Sequence, residues 1–516
     1  MTVHAPILII IIPLIASFLN IIIGLWRKRL CYPLVIITLG LSVISSISIL
    51  NTVITQGVIH YRLGGWSPPW GIEYVIDHLN AFILIIVSFI GFTIAIYSKR
   101  NIEQEFPEKA VYFYTIYLLL VTGLLGITIT GDVFNLYVFL EITSLAVYAL
   151  IAIGRDKAPL ASFNYLIMGT IGACFYLLGV GYLYIATGSL NMADLGRLLP
   201  DLYHSKVALV AFAFFAVGVS IKMALFPLHV WLPDAYTYAP STVSAFAAST
   251  MTKVGVYVMI RIMFTVFEPR FSIVMLPSTE ILGWAASVAM IFGCISAIAQ
   301  TDVKRMLSYI LIAEVGYIVL GVSVANRMGF TGALLHILFD ALTMACLFMA
   351  AGAVMHKTGE TSIHGFRHLH RRMPLTMAAF SIAALSAVGV PPFAGFFSKL
   401  YLIIGAIDAG KWIFAVFLLL SSLLVGVAFF RIIQNVYFPP YPPPVPLHEG
   451  DKGGGLIAGS EIALSLSRND NITLRDEAPV SMLLPILIMA AGILILGFFS
   501  GKIVSAVIQF TVPKGF

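Results

Sequence analysis

Six ionisable side chains lie deep inside strongly apolar runs of this sequence, where a charge is unfavourable. Three are lysines and three are carboxylates: Lys222, Lys253, Lys399, Glu141, Glu314 and Asp340. A lysine at the centre of a membrane helix costs about 2.5–3.5 kcal/mol on the insertion scale. Groups of opposite sign can neutralise one another, and each change of protonation shifts the pKa of its neighbours. Such a set favours conduction of protons or small cations, and ion pairing that only fixes helix packing is the structural alternative.

A buried histidine extends this set. His336, Asp340 and Met344 recur every four residues, so they lie on one face of a helix. Because imidazole titrates near neutral pH, a histidine one turn from an aspartate favours a proton relay over simple packing. Four more histidines between residues 356 and 370 lack cysteine partners and regular spacing. We interpret them as residues of a solvated loop rather than as a metal site.

The composition describes the surroundings of these charges. Of 516 residues, 60% are hydrophobic and 10% are charged, whereas a soluble domain carries roughly 25% charged residues. Soluble enzymes and nucleic-acid-binding proteins are therefore excluded, and a protein embedded in the lipid bilayer is expected. The sequence has neither a dinucleotide loop nor a cysteine cluster, so we expect no cofactor and no resident metal.

Apolar runs long enough to cross a bilayer, about 20 residues each, predict an all-α polytopic membrane protein with about fourteen transmembrane helices. In chain order the runs cover residues 6–25, 33–54, 78–97, 110–130, 132–153, 160–187, 207–235, 239–265, 275–299, 303–323, 329–355, 375–407, 410–437 and 479–508. The first run has no basic segment before it, so it is not expected to be a cleavable signal peptide.

Basic residues in the loops predict the orientation of the chain. If residues 26–32 face the cytoplasm, eighteen Lys and Arg residues lie in cytoplasmic loops and nine lie on the opposite side. This excess follows the positive-inside rule. It predicts a prokaryotic cell (inner) membrane protein with both termini on the periplasmic or extracellular side. It also explains the net charge of +6 without a nucleic-acid partner.

Two of the runs are long and contain proline beside their buried lysine. Pro227 follows Lys222 in the seventh run, and Pro391 and Pro392 precede Lys399 in the twelfth. Proline removes a backbone donor and clashes with the preceding turn, so both helices should break there. Broken helices at corresponding positions of two halves indicate inverted repeats with an ion path at the break. We therefore predict two inverted five-helix repeats, spans 4–8 and 9–13.

These repeats divide the chain into five predicted segments. They are N-terminal helices 1–3 (1–109), a first repeat (110–265), a second repeat (266–437), a Pro- and Gly-rich cytoplasmic linker (438–478) and a C-terminal helix (479–516). The linker begins with Pro439-Pro440-Tyr441-Pro442-Pro443-Pro444, a composition typical of linkers and partner contacts.

Four stretches carry a resemblance to a known family. They run from Gly131 to Glu141, from Lys222 to Ala235, from Thr252 to Tyr257 and from Pro391 to Lys399. The chain resembles the antiporter-like membrane subunits shared by Mrp-type Na+/H+ antiporters, respiratory complex I and membrane-bound hydrogenases. It is most similar to the D-type subunits of the Mrp group, and the resemblance covers nearly the whole chain.

The resemblance implies fourteen helices in two inverted repeats, broken helices 7 and 12, and a hydrated polar axis at mid-membrane. Glu141 and Lys222 look like the family's paired carboxylate and lysine, Lys253 like the central lysine, and Lys399 like the terminal lysine. In that family pattern, the charge at the first pair controls whether the central lysine holds a proton. The terminal lysine delivers or receives that proton.

The chain departs from the family pattern on spans 10 and 11. Relatives usually carry histidine and lysine where this chain has Asp340 and Met344, and Glu314 stands where an uncharged polar residue is expected. Compared with that pattern, the second half lacks the histidine and the lysine and has two acids instead, whose hard oxygen ligands suit Na+. Transient Na+ binding at Asp340 and Glu314 is therefore an alternative to proton transfer there.

Lys253 has no acid in its own helix and only small hydroxyl residues nearby, so we expect it to be desolvated.

Three functions remain open on this basis. We favour a Na+(K+)/H+ antiporter component of the Mrp D type that works with other membrane subunits of a hetero-oligomeric complex. A proton- or sodium-pumping subunit of a redox-driven complex, such as an NADH dehydrogenase, hydrogenase or formate-oxidising assembly, would use the same residues, with electron transfer in its partners. A structural subunit with an inactive channel is the third, because Met344 cannot take a proton.

Overall fold

The computed structural model describes residues 4–438 and 476–512, and the predicted linker lies almost entirely outside these ranges. Twelve helices in the described part are long and apolar enough to cross a membrane. Their bounds are α1 Ala5–Trp26, α2 Cys31–Gln56, α3 His78–Glu105, α4 Ala110–Ile129, α5 Val133–Ala152, α6 Ala158–Thr187, α10 Ser241–Arg261, α11 Ser278–Ile298, α12 Val303–Ser323, α13 Arg327–Thr358, α17 Trp412–Tyr437 and α18 Val480–Phe498. The prediction of an all-α, multi-pass membrane protein is confirmed.

Two further runs predicted as spans are interrupted helices. The first consists of α8 (Lys206–Lys222) and α9 (Leu232–Tyr238), and the second of α15 (Pro374–Val388) and α16 (Ala394–Asp408). Both interruptions contain the prolines that predicted them. With the twelve continuous helices, the two interrupted segments account for the fourteen predicted runs. The count of fourteen crossings and the inverted repeats stay predictions.

The remaining described elements are short. They are the strands β1 (Ile59–Arg62) and β2 (Glu73–Ile76), the helices α7 (Met192–Leu198), α14 (Leu369–Arg372) and α19 (Ser500–Ala506), 3-10 turns at Lys28–Leu30, Leu63–Gly65, Leu199–Leu202, Ile363–Phe366 and Ile508–Phe510, and π-helical turns at Ile262–Val266 and Arg270–Met275. The strands form one antiparallel hairpin in which Ile59 lies opposite Ile76. This hairpin leads directly into α3 and marks one membrane face, called the hairpin face below.

Local sequence signals fix where the functional helices begin. Asp132 precedes α5 and accepts hydrogen bonds from the amides of Phe134 and Asn135 at 2.9 and 2.7 Å. Asn326 precedes α13 and accepts one from the amide of Gly329 at 2.8 Å. Such caps satisfy amides that have no partner within the helix. Because each cap fixes the first residue of its helix, it also fixes how far along the helix axis every later side chain lies.

Each interrupted helix leaves free backbone groups, which nearby groups satisfy. After α8, Ala224 adopts a left-handed backbone with φ of 56°, and the indole N–H of Trp231 donates to the carbonyl of Ile221 at 3.1 Å. After α15, Gly389 ends the helix with φ of 89°, a conformation that favours glycine. Exposed backbone at membrane depth is tolerated only where protein or a hydrated cavity surrounds it.

The helices that carry charge form the centre of the bundle. α10 is buried throughout the part that could cross a membrane, and α12 and α13 are almost as fully enclosed. In contrast, α1, α2, α6, α11 and α17 each bury less than half of their most apolar part. Close packing at the centre depends on small residues. A Cβ on Gly255 of α10 would lie 2.8 Å from the Cβ of Met223, directly after α8.

Candidate functional site

Seven ionisable side chains selected from the sequence lie on six helices of the bundle. We call this set the charged axis, and its members are Glu141 on α5, Lys222 at the end of α8, Lys253 on α10, Glu314 on α12, His336 and Asp340 on α13, and Lys399 on α16. Five of the seven are buried, and Glu141 and Lys222 are partly buried. The structure brings six of the seven together as three acid–base pairs, each between two different helices.

The first pair joins α5 to the end of α8. Lys222 Nζ lies 3.4 Å from Oε1 of Glu141 and donates a hydrogen bond to the hydroxyl of Ser144 at 2.7 Å. Because α8 ends at Lys222, the ammonium group lies at a helix C-terminus, where a cation is favoured. The side chain of Glu141 is 28% exposed and that of Lys222 is 8% exposed. This end of the axis is therefore the more accessible one.

The second pair joins α10 to α13. Lys253 Nζ lies 2.5 Å from Oδ2 of Asp340, and both side chains are essentially inaccessible, at 1% and 0% exposure. Lys253 also donates a hydrogen bond to the carbonyl of Ala248 at 2.6 Å, so its amine is directed toward the start of α10. Among the described residues, the other carboxylate oxygen of Asp340, Oδ1, has no hydrogen-bond partner.

This pairing corrects two expectations from the sequence. Lys253 is desolvated as expected, but its neighbours are not limited to the hydroxyl residues of its own helix, because α13 supplies a carboxylate. Asp340 was expected to act with His336, one turn away on the same helix. Instead, each of these two residues contacts a different partner helix. A periodicity within one helix cannot show which side chains a neighbouring helix presents.

The third pair joins α12 to α13. His336 Nε2 lies 2.7 Å from Oε2 of Glu314, and its Nδ1 lies 2.9 Å from the hydroxyl of Ser398 on α16. Both members of the pair are buried, and Oε1 of Glu314 has no hydrogen-bond partner within the described part of the chain. Glu314, which departs from the family pattern, is therefore placed to exchange a proton with an imidazole.

Lys399 ends the axis and is held mainly by backbone and ring groups. Its Nζ donates to the carbonyl of Ala387 at 2.6 Å and to the hydroxyl of Ser422 at 3.1 Å, and it lies 4.3 Å from the ring centre of Tyr317. Ala387 belongs to the last turn of α15, so the cation faces a helix C-terminus. A Cβ on Gly389 would lie 3.0 Å from Cδ of Lys399. Glycine at this position therefore leaves room for the lysine.

The arrangement can move charge without creating an isolated ion. Removing one partner of a buried ion pair costs about 3–5 kcal/mol, because the other charge remains uncompensated. In each pair here, a proton can pass from base to acid and leave two neutral groups. While Glu314 or Asp340 is still a carboxylate, its free oxygen offers a second position at which a proton from elsewhere can bind instead. Among the described residues no cluster of three or more His, Cys, Asp or Glu side chains suits a metal ion, so transient Na+ binding stays a prediction.

Two further basic residues, Lys304 and Arg261, lie inside the predicted runs 303–323 and 239–265 but were counted among the loop charges. Lys304, on the first turn of α12, is 4% exposed and donates to the carbonyl of Ala239 at the end of α9, at 2.6 Å. Arg261, the last residue of α10, donates to Asp77 at 2.6 Å with a side chain that is 12% exposed. Charge counting assigns residues near helix ends to loops. For Arg261, its spacing of eight residues from Lys253 could have shown that both share a helix face.

A polar cavity of about 510 Å³ lies at the start of α10, on the side opposite the hairpin face. Its lining includes the charged or titratable residues Glu105, Arg155, Asp156, Asp302, Lys304 and His356. Arg155 lies 3.9 Å from Glu105. Since the amine of Lys253 is directed toward the same end of α10, this cavity is a candidate route by which water and protons reach the axis.

Comparison with known protein families gives a match over much of the chain. Residues 130–425 match the family model described as NADH:quinone oxidoreductase/Mrp antiporter, TM, and this range takes in more than half of the chain. The chain belongs to that family. The resemblance expected from the sequence is therefore confirmed, and the chain is an antiporter-like, multi-pass membrane subunit.

Three individual proteins are similar over most of their length. NADH-quinone oxidoreductase subunit N of Desulforudis audaxviator is 46% identical over 99% of both chains. The D-type subunit of the Na(+)/H(+) antiporter of Bacillus subtilis is 32% identical over 89% of this chain and 92% of that protein. A subunit in the structure of the membrane-bound sulfane sulfur reductase, an archaeal respiratory membrane complex, superposes with a TM-score of 0.86 at 30% identity. That match covers 98% of this chain and 96% of the archaeal one.

Proposed function

We propose that this chain translocates protons along the charged axis as one membrane subunit of a hetero-oligomeric complex. The observation that carries the proposal is the pairing of buried acids and bases from different helices: Glu141 with Lys222, Lys253 with Asp340, and Glu314 with His336. Ion pairs that only fix helix packing would not need a titratable imidazole, nor carboxylate oxygens left without a hydrogen bond.

The proposed transfer starts at the accessible pair. When Glu141 takes up a proton, Lys222 loses its compensating charge, and its positive field then acts on Lys253. That field favours release of the proton from Lys253 to Asp340, which leaves a neutral pair. Glu314 and His336 form the next acid–base step. Lys399 is the terminal group, which releases its own proton from the end of the axis and is then recharged by the proton that arrives along it. Residues 110–265 and 266–437 act in this scheme as two half-channels.

We favour a redox-driven host complex. The subunit N relative is 46% identical over 99% of both chains, and the archaeal respiratory subunit superposes along nearly the whole chain. Electron transfer would then occur in partner subunits, and this chain would contribute the ion path. A Na+(K+)/H+ antiporter of the Mrp type is the second candidate, supported by the 32% identity to the Bacillus subtilis antiporter protein.

Isolation of the intact complex separates these hosts. An affinity tag on this chain should purify it with its neighbouring polypeptides, which mass spectrometry can identify. In vesicles, a redox-driven complex is expected to move protons when a quinone or ferredoxin couple is supplied and to ignore an imposed Na+ gradient. Proton movement driven only by Na+ or K+ would favour the antiporter. No proton movement under either condition would contradict the proposed function.

A further inference from the structure

The end of α10 at the hairpin face is capped by a largely buried polar cluster that the charged axis does not use, in which the side chains of Arg261 and Asp77 are 12% and 31% exposed. We call it the arginine cluster, and its members are Arg261 and Tyr257 on α10, Asp77 and Asn80 at the start of α3, and Thr128 on α4. Tyr257, Asn80 and Thr128 are buried, with 2% exposure or less. Three helices therefore meet at this point through direct polar contacts.

The cluster lies on the same helix face as the central lysine. Lys253, Tyr257 and Arg261 are spaced by four residues, so they follow one another along α10. The opposite end of α10 adjoins the polar cavity of about 510 Å³. A proton on Lys253 thus has two conceivable ways out along α10: toward that cavity, or through Tyr257 and Arg261 to the hairpin face.

The hydroxyl of Tyr257 cannot pass a proton in this arrangement. It donates to the carbonyl of Thr128 at 2.8 Å and accepts from Nε of Arg261 at 3.1 Å and from Nδ2 of Asn80 at 2.9 Å. A phenol has one donor and two acceptor positions, and all three are occupied. Its donated proton points to a backbone carbonyl, which does not relay it further.

Arg261 adds an electrostatic barrier beyond the tyrosine. Its guanidinium donates to Asp77 at 2.6 Å and contacts the side-chain oxygen of Asn80. Burial raises the pKa of Asp77, but Arg261 and the first amides of α3 more than offset this and leave that pKa below its usual value. Arginine stays protonated in proteins and cannot act as a relay. A fixed positive charge of this kind excludes protons from membrane pores.

We propose that the arginine cluster is a proton-tight seal at the hairpin end of α10, so that a proton on Lys253 can leave along the charged axis or toward the polar cavity, but not to the hairpin face. This inference rests on the proposed function, because a seal matters only if Lys253 exchanges protons. It assigns Arg261 a positioning and barrier role that is distinct from transfer. The seal would prevent the first half of the chain from short-circuiting the gradient that the complex builds.

Passive proton permeability of the assembled complex in vesicles tests the seal. With no electron donor and no Na+ gradient, an internal pH dye reports the decay of an imposed pH gradient. Arg261→Ala and Arg261→Gln are expected to raise proton permeability several-fold while K+ permeability stays at the wild-type level. Arg197→Ala is the matched control, since Arg197 also pairs with an aspartate but has a side chain that is 79% exposed. It should leave permeability unchanged.

Two further variants sharpen the test, and the first of them keeps the inference falsifiable if the Arg261 variants assemble poorly, because it leaves Arg261 in place. Asp77→Asn removes an acid and retains the arginine, so it should stay proton-tight. Arg261→Gln combined with Lys253→Leu should return permeability to the wild-type level, because the leak starts at Lys253. Proton-tight Arg261 variants, equal leakage of K+ and protons, or a leak in Asp77→Asn would overturn the seal. These passive measurements are independent of driven transport, so they also separate failure of the seal from failure of the proposed function.

Discussion

Asp340 on α13 holds a carboxylate oxygen 2.5 Å from the amine of Lys253 on α10, and neither side chain is more than 1% exposed. The family resemblance implies histidine at the position of Asp340. The carboxylate that this chain carries there instead gives the central lysine an acidic partner. It makes the centre of the axis an acid–base pair across which a proton can move without leaving a net charge.

Neutralising that acid should stop transport. Asp340→Asn keeps the shape and polarity of the side chain but leaves Lys253 without its compensating charge, and it removes the proton acceptor. We expect loss of proton transport by the assembled complex, with expression retained. The assay is dissipation of a pH gradient in vesicles, with and without Na+. Met344→Leu, a change at a fully buried residue one turn away, is the matched control and should transport normally.

The outcome in Na+ has a specific meaning for this variant. Activity equal to wild type in Asp340→Asn under both conditions would show that the second half of the chain serves a structural role. Loss of transport only in the presence of Na+ would indicate that the carboxylate acts as a cation ligand, as its hard oxygens allow.

Removing both charges of the central pair should separate stability from transport. Asp340→Asn alone is expected to lower the free energy of unfolding by about 3–5 kcal/mol, because it leaves a buried lysine unpaired. Lys253→Met combined with Asp340→Leu replaces the pair by apolar groups and should recover most of that loss. Thermal unfolding of the purified complex measures the recovery. Transport that returns together with stability would contradict a role of the pair in proton transfer.

The first pair should be required for transport but not for insertion. Lys222→Ala and Glu141→Gln each remove one charge from the more accessible end of the axis. We expect both variants to reach the membrane and assemble. In Lys222→Ala the remaining carboxylate of Glu141 is partly exposed, and in Glu141→Gln the remaining Lys222 keeps its hydrogen bond to Ser144. Proton transport should fall to background. Wild-type transport in Lys222→Ala would exclude the pair from the pathway.

Gly389 should be needed for the terminal lysine as well as for the turn. Alanine at this position must adopt a φ of 89°, and its Cβ would lie 3.0 Å from Lys399. Gly410 offers a matched control, since its φ is 70° but a Cβ there would meet nothing within 4 Å. Both Ala variants should lose about 1–2 kcal/mol of stability from the left-handed backbone. Only Gly389→Ala should also lower proton transport, which is measured in vesicles that contain the assembled complex. Equal transport by the two variants would argue against a role for the contact between position 389 and Lys399.

Much of the fold could be predicted from composition and proline positions. Long apolar runs identified the helices, and the prolines near Lys222 and Lys399 identified both interruptions. These signals are local: hydropathy depends on neighbouring residues, and proline acts on its own turn. The buried charges could be found for the same reason, because a lysine or carboxylate inside an apolar run is visible in the sequence alone.

The partners of those charges could not be predicted in this way. Lys253 has no acid in its own helix, and its partner Asp340 lies 87 positions further along the chain. Such a contact depends on how α10 and α13 pack, which no local pattern encodes. Arg261 was counted among the loop charges because it lies near a helix end, whereas its pairing with Asp77 holds it in the bundle with a side chain that is 12% exposed. The family resemblance implied roles for Glu141, Lys222, Lys253 and Lys399, but it did not indicate that Lys253 pairs with Asp340.

Proton transport by Lys253→Arg tests the central claim most directly. Arginine keeps the positive charge beside Asp340, so the complex should assemble, but it cannot release its proton at physiological pH. The measurement is driven acidification of vesicles that contain the assembled complex, compared with wild type at equal protein content. The account predicts that Lys253→Arg assembles normally and transports at background level. Transport at the wild-type rate would contradict it, because Lys253 would then supply only a fixed charge.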